Sequence, residues 1–385
     1  MINLRSPYFV KVENASLTSA AIQIYIYGFN PALATWQTDR GTAIYTLSAT
    51  AYDDGTNDPY CIFDISELAR DYIDYTFDGT YTGKTLWVEW RTANNGAAFS
   101  GSYSGGAAFY GYNEFREGAF GSGIGNDYTA PNLLMSNTDV IYKSDDGIIN
   151  IPIFTASGDS ITVYLESQGT IISTDSFAYS NEVGNTIRYV SNDTGVDYES
   201  FKTRVIADSG TFEDDATGRV FTKYGTSPVD VVYIDDGTDI TRIPVKNIPE
   251  CKYEPLKLTF INRFGALEDI WFFKLSSVSL STKDTSYKAN IISGGTYSTT
   301  AHQYATLSIN GKERITMNSG FYPESYNEVF KQMLLSDRVW LLYEGYTLPI
   351  KITSNDFNFK KHVNNKLIEY TIEADFSFDN ISSVR

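Results

Sequence analysis

The strongest constraint in this sequence is a period of two. In "IEYTIEADFSF", Ile368, Tyr370, Ile372, Ala374, Phe376 and Phe378 alternate with Glu369, Thr371, Glu373, Asp375 and Ser377. A helix would scatter these side chains around its axis. A strand sends successive side chains to opposite faces and so makes one apolar and one acidic face. Fully extended, the run reaches about 36 Å, longer than an ordinary strand. It reads either as a sheet reaching beyond its own domain to a neighbour, or as a long edge strand guarded by charge. The same alternation recurs near the N-terminus, where Ile22, Ile24 and Ile26 face away from Gln23, Tyr25 and Tyr27. With 29 Tyr and 23 Phe against four Met, the chain is rich in the rings that fit pleated surfaces. The expected fold class is mainly β.

Turn signals divide the 385 residues into three expected domains. Residues 1–130 read as an immunoglobulin- or fibronectin-like β-sandwich. Its strands are "AAIQIYIYGF", "TAIYTLSATAYDDG" and "KTLWVEWRT", with a short helix capped by Ser66 that turns Leu68, Ala69 and Tyr72 inward. Its residues 96–125 are rich in glycine and aromatics. Glycine favours a flexible loop, yet Phe99, Tyr103, Phe109, Tyr110 and Phe115 call for burial. The segment therefore reads either as a partner-contact loop, through Phe99, Tyr103, Phe109, Tyr110 and Tyr112, or as a hairpin lying on its own domain. Residues 131–246 carry short strands between polar turns, a second sandwich. Residues 247–385 predict a β-sheet with one helix at 323–335. Pro323 suits its first turn, and Tyr326, Val329, Phe330, Met333 and Leu334 form one apolar stripe. Hairpins are predicted at Glu344-Gly345 and at Asn364-Asn365.

Catalytic chemistry is sparse. His302 and His362 are the only histidines, and the chain has no H-E-x-x-H, G-x-S-x-G or P-loop pattern. Its glycine-rich segment does not join a strand to a helix, so it is no dinucleotide fingerprint. Carboxylates are plentiful enough for a hydrolase pair, but any solvated β surface shows as many. The acidic turns Asp235–Asp239 and Glu213–Gly218 lack the spacing of a calcium loop. No metal, cofactor or enzymatic activity is expected. Cys61 and Cys251 are expected to be buried free thiols, consistent with a reducing compartment. The opening residues lack a signal peptide, and no apolar run has membrane-spanning length. Synthesis in the cytoplasm is expected, with no membrane insertion. The net charge of −17 argues against nucleic acid as a partner.

The most ordered stretch is "KLTFINRFGALEDIWFFK", two apolar strands around a corner bearing Arg263, Glu268 and Asp269. A charged corner of this kind locks register, inside one domain or against a second copy. Interface residues are expected at Arg263, Glu268, Asp269, Trp271, Trp340, Tyr370 and Phe376. Together with "NSGFYPESYNEVFKQMLLSDRVWLL" and "NKLIEYTIEADFSFDNISSVR", and more loosely "SLTSAAIQIYIY" and "DISELARDYIDY", this stretch resembles structural proteins of phage tails. The resemblance is to tail-tip or baseplate proteins of the distal-tail type, as encoded by phages of Bacteroidetes-type hosts, and it covers mainly the last third of the chain. It implies a tail-tube-like sheet-plus-helix module that joins copies into a ring. Tube and baseplate proteins would be further partners, and the virion tail the location. Glu369, Glu373 and Asp375 would then face a lumen and repel passing DNA. A receptor- or glycan-binding adhesin, with Tyr103, Phe109, Tyr110 and Tyr112 stacking on sugars, is the alternative. A head–tail connector or capsid-decorating protein comes next.

Overall fold

The computed structural model describes residues 1–28, 41–124, 134–143, 149–155, 160–167, 170–178, 186–191, 219–221, 230–238, 240–248, 252–354, 358 and 366–379. The fold is mainly β. Contacts group the chain into two units rather than three consecutive segments. One holds residues 1–248 with 259–270 and 328–336, and the other 249–258, 271–327 and 337–385.

The first unit opens with a β-sandwich. One sheet runs in the order Ile2–Asn3, Ser104–Phe109, Leu86–Asn94, Ser19–Gly28 and Tyr45–Thr50; the other is Tyr60–Asp64, Tyr8–Glu13 and Phe120–Ser122. The predicted alternation sets the core: Ile22 and Ile24 are fully buried, as are Val10 and Phe63 from the facing sheet. The Tyr8 and Trp90 rings meet at 6.0 Å. Burying each such side chain is worth about 1.5–3 kcal/mol. Ser66 is not a cap. It is the first residue of the helix Ser66–Arg70, and its N–H and hydroxyl both donate to Asp64 Oδ1 at 3.0 and 2.7 Å. Ala69 is buried as expected, but Leu68 is half-buried and Tyr72 exposed.

The glycine- and aromatic-rich segment is not a free loop. Ser104–Phe109 pairs antiparallel with Leu86–Asn94 and parallel with Ile2–Asn3. Its glycines permit that approach: a Cβ on Gly105 would lie 2.5 Å from the Val88 carbonyl oxygen. Phe109 and Tyr110 are buried inside their own unit.

A second sandwich follows in the same unit. It pairs Asn150–Thr155, Thr186–Ser191 and Arg219–Phe221 in one sheet. The other sheet is Thr170–Ala178, Ser160–Ser167, Val231–Asp235, Ile240–Asn247 and Ile141–Lys143. Ile149, Ile151 and Ile153 from the first meet Ile161, Val163, Val232, Ile234, Ile243 and Val245 from the second.

In the second unit, strands lie in the order Val339–Tyr343, Tyr346–Ile352, Thr371–Phe376, Tyr304–Asn318 and Ser277–Lys288. The predicted hairpin turns at Glu344-Gly345, both with positive φ. The eleven-residue terminal strand is not continuous. Leu367–Ile368 pairs with Tyr322–Pro323, and only Thr371–Phe376 joins the large sheet. Between them, Ser319 Oγ accepts the Tyr370 N–H at 2.9 Å, and the Ser319 N–H donates to the Tyr370 carbonyl at 2.8 Å. A side-chain acceptor there replaces a ladder bond and breaks the strand. The helix forms as Asn327–Leu334 after a 3-10 turn at Glu324–Tyr326, and all of it beyond Asn327 belongs to the first unit. Its buried face includes Val329, Phe330 and Met333 as expected, but takes Gln332 where Leu334 was expected.

Candidate functional site

The corner between Leu256–Ile261 and Leu267–Phe272 is a buried polar knot within the first unit. Asn262, fully buried, organises it. Its Oδ1 accepts the N–H groups of Phe264 and Ala266 at 3.0 and 3.1 Å, which fixes the turn. Its Nδ2 donates to the Met135 carbonyl at 2.7 Å and to Glu268 Oε2 at 2.9 Å. Glu268 Oε1 accepts the hydroxyls of Ser136 and Thr138, each at 2.6 Å. Burial nevertheless pushes the Glu268 carboxyl above its usual range; those three donors oppose the shift. Gly265 makes the tight approach possible: its φ is +82°, and a Cβ would meet the Tyr110 backbone nitrogen at 2.8 Å.

Asp269 belongs to a separate network. The Tyr81 hydroxyl donates to its carboxylate at 2.6 Å and the Thr259 hydroxyl at 2.6 Å. The Tyr75 hydroxyl donates to the Gly265 carbonyl at 2.5 Å, and the Tyr189 oxygen accepts the Leu267 N–H at 2.8 Å. Burial raises the Tyr75 and Tyr81 phenols well above 10, with the Asp269 charge adding at Tyr81. Both therefore stay protonated donors near neutral pH.

Arg263 goes a third way. Its guanidinium pairs with Glu117 at 2.7 Å and lies 4.0 Å from Glu114. Its N–H donates to Gln332 Oε1 at 3.1 Å, which is why that glutamine is buried on the helix. Glu114 also binds Lys331 and Arg116, whose hydrogen bonds hold its carboxyl down at about 2. The three corner residues thus form no single cluster, and each has partners inside its own unit.

The other expected interface residues, Trp271, Trp340, Tyr370 and Phe376, are all buried in the second unit. The Trp271 N–H and carbonyl clamp the Tyr322 hydroxyl at 3.2 and 2.8 Å. Tyr370 donates its hydroxyl to Asn327 Oδ1 at 2.5 Å. The three acids of the terminal run do not make a bare acidic face. Glu369 is half-buried at the strand break. Asp375 is buried against Arg314 at 2.7 Å and Lys312 at 3.1 Å, and Arg314 Nη1 lies 3.7 Å from Glu373. Arg314 and Lys312 hold the Asp375 carboxyl below its usual range.

In the expected loop, Phe99 and Tyr103 are half-buried with the Arg91 guanidinium 5.6 and 5.4 Å from their rings. Tyr112 sits under Arg5 at 5.1 Å, and burial pushes its phenol up to about 12. Cys61 is a buried free thiol, as expected. His302 is exposed, and Asp235 and Asp236 simply cap their own turn. Cys251, His362, the Asn364-Asn365 turn and Glu213–Gly218 lie outside the described residues.

What the sequence reading missed is an exposed β-ribbon. Ser277–Lys288 and Tyr304–Asn318 pair with each other from Ser277 opposite Thr316 to Lys288 opposite Tyr304. All twelve residues of the first strand are exposed, and that strand ends the sheet. Val278, Leu280 and Ile309 share one face, near Leu307 at a bulge, while Lys283, Lys312 and Arg314 take the other. A small second hairpin, Ile292–Ser293 with Thr296–Tyr297, lies in the connection at the far end. Ile292, Tyr297 and Tyr304 are each about two-thirds exposed. At the ribbon's root a cleft of about 260 Å³ is lined by Tyr343, Tyr346, Phe376 and Phe378 with Glu313, Glu344 and Asp379. The signal was present in "SVSLSTKDTSYK", whose alternation offers too few apolar residues to bury either face.

Among the described residues, no group of three or more His, Cys, Asp or Glu is placed to hold a metal ion. No helix there is long and apolar enough to cross a membrane. No protein-family model and no curated protein matches the chain. Among solved structures, the surface layer protein SbsC, domains 4–9, aligns with 82% of this chain at 8% identity and a TM-score of 0.16. The alignment spans 50% of that structure, and a likeness this slight supports neither fold nor function.

Proposed function

We propose that the chain is a non-enzymatic structural subunit of a phage tail tip or baseplate that assembles with its own copies into a ring at the end of the tail tube. The observation that carries this reading is the exposed ribbon. A two-stranded ribbon is marginal in water by itself, and apolar side chains held out on it are a binding surface. Leu280, Leu307 and Ile309 are all more than half exposed. Leaving them in water forgoes about 1.5–3 kcal/mol apiece, which a subunit contact recovers. The charge of −17 suits a protein that sits near DNA or an anionic membrane without binding it. Other tube and baseplate proteins are the further partners, and the virion tail, assembled in the host cytoplasm, is the location.

The adhesin reading relied on an aromatic platform at Tyr103, Phe109, Tyr110 and Tyr112. Phe109 and Tyr110 are buried and offer no face to a sugar, so the assembly reading is preferred.

The test is the mass of the purified protein by light scattering, with negative-stain images of the same fraction. A closed ring with an open centre is the expected result. A protein that stays monomeric at high concentration, and that also fails to assemble on purified tail tubes, overturns the reading.

A further inference from the structure

The geometry points to a specific contact: the ribbon of one copy docks in the Tyr346–Phe378 cleft of the next. This deepens the ring reading above and rests on it. The cleft combines aromatic rings with Glu313, Glu344 and Asp379 and has no basic residue in its lining. Rings and carboxylates together favour an ammonium group, which gains from the ring faces as well as from the charges. Tyr346 and Phe378, about 70% exposed, stand open to an incoming apolar side chain.

The ribbon carries the matching set. Lys283 and Lys288 outnumber Asp284 on its outer portion, residues 277–310, in a chain of net charge −17. Lys288 shares its face with Tyr304, directly opposite it, while Tyr287 takes the other face, with Ile292 and Tyr297 in the connection beyond. The ribbon cannot fill its own cleft. Glu313 in the cleft lies opposite Leu280, and Lys288 is eight residues farther along the strand, about 27 Å away. A paired ribbon does not fold back over that distance. The occupant is therefore another molecule, and a second copy offers the needed lysine and rings at high local concentration. Because ribbon and cleft are different surfaces, the contact is head-to-tail, the kind that closes into rings.

Two variants test this. In the first, residues 284–309 are replaced by Asn-Gly, which closes the Lys283–Asn310 pair with a two-residue turn. In the second, Tyr346→Ala and Phe378→Ala remove exposed rings that the fold does not need. Each is expected to be monomeric by light scattering where the unaltered protein is oligomeric, with affinity in the second lowered about tenfold or more. Mixed together, they are expected to form a one-to-one dimer, since one keeps the ribbon and the other the cleft. If the unaltered protein forms a ring and the shortened variant forms the same ring, the docking contact is wrong and the ring reading stands. If the unaltered protein is monomeric, fails to assemble on purified tail tubes, and the two variants do not combine, both fall.

Discussion

Glu268 offers the sharpest test of how the corner is held. Its carboxylate receives three hydrogen bonds, from Ser136, Thr138 and Asn262. A hydrogen bond to a charged group contributes about 1.5–3 kcal/mol, so the donors together offset several kcal/mol. Desolvating a carboxylate costs several kcal/mol as well. The upward shift of its pKa says that desolvation wins. Glu268→Gln should then be mild. The amide can donate to both hydroxyls, which rotate, while its oxygen accepts from Asn262, whose orientation is fixed by the turn. Glu268→Ala should cost more, because it leaves the half-buried Ser136 and Thr138 hydroxyls without their acceptor and opens a cavity. About 1–3 kcal/mol per unsatisfied group gives at most roughly 2–6 kcal/mol for the two.

The pH dependence separates these explanations. A carboxyl whose folded pKa lies above its unfolded value, about 4.3, binds more protons in the native state within that window. Stability then falls as pH rises from the unfolded to the folded value, by at most about 1.4 kcal/mol per pH unit. Glu268→Gln removes this slope. The unaltered protein should gain on Glu268→Gln as pH is lowered from neutral towards the unfolded value, about 4.3, and other titrating groups cancel in the difference. Urea unfolding followed by tryptophan fluorescence at both pH values measures it. If Glu268→Gln costs as much as Glu268→Ala, with no change in the difference between neutral pH and the unfolded value, the carboxylate is stabilising in its charged form and the reasoning fails.

Other perturbations have defined outcomes. Tyr81→Phe withdraws a donor from Asp269 and should cost about 1.5–3 kcal/mol in the same unfolding assay; no loss would mean the carboxylate is satisfied without it. Gly265→Ala places a Cβ against the Tyr110 backbone at a positive φ and should cost about 1–3 kcal/mol or more, read as a lowered melting temperature. Asp375 has a folded pKa below its unfolded one, so its contribution is present above about pH 4 and is lost as pH falls through the folded value. Its partners Lys312 and Arg314 are nearly half exposed, so screening limits the Asp375→Asn effect to about 1 kcal/mol. That difference should shrink in 1 M salt, and an effect unmoved by salt would count against an ion-pair origin.

What was legible in the sequence was whatever depends on period. Ile22, Ile24 and Ile26 alternate into the core as read, and the Glu344-Gly345 turn and the Val329–Met333 helix face follow from local pattern. Period fails where polar side chains compete with the backbone. Ser319 interrupts the terminal strand by taking the Tyr370 N–H, and Gln332 is buried because Arg263 and Asn137 supply its partners. Nothing within a few residues of Ser319 or Gln332 announces either event. The glycine-rich segment misled for a related reason: glycine marks close backbone approach as well as freedom, and at Gly105 the former applies. The ribbon's alternation carries too few apolar residues to bury either face, and that much is local. That no other element covers it, among the described residues, is a property of the whole fold.

The partition of the chain has a consequence for how it folds. The first unit, residues 1–248, is completed by residues 259–270 and 328–336 from the last third. Without them, the hydroxyls of Tyr75, Tyr81, Tyr189, Ser136 and Thr138 lose the partners described above. The three tyrosines are buried and the other two residues half-buried; three buried polar groups at about 1–3 kcal/mol each amount to roughly 3–9 kcal/mol, comparable to a whole domain's stability. The apolar loss adds to it, since Phe260, Ile261, Leu267, Ile270, Phe330 and Met333 are all buried. A fragment of residues 1–248 should therefore lack cooperative unfolding and be cut rapidly by protease at concentrations the full chain resists. A fragment that unfolds in one sharp transition near that of the full chain would show that the corner is an accessory to the first unit rather than part of its core. Until the last third is made, the N-terminal sandwiches would remain incomplete, so folding of the first unit cannot simply precede that of the second.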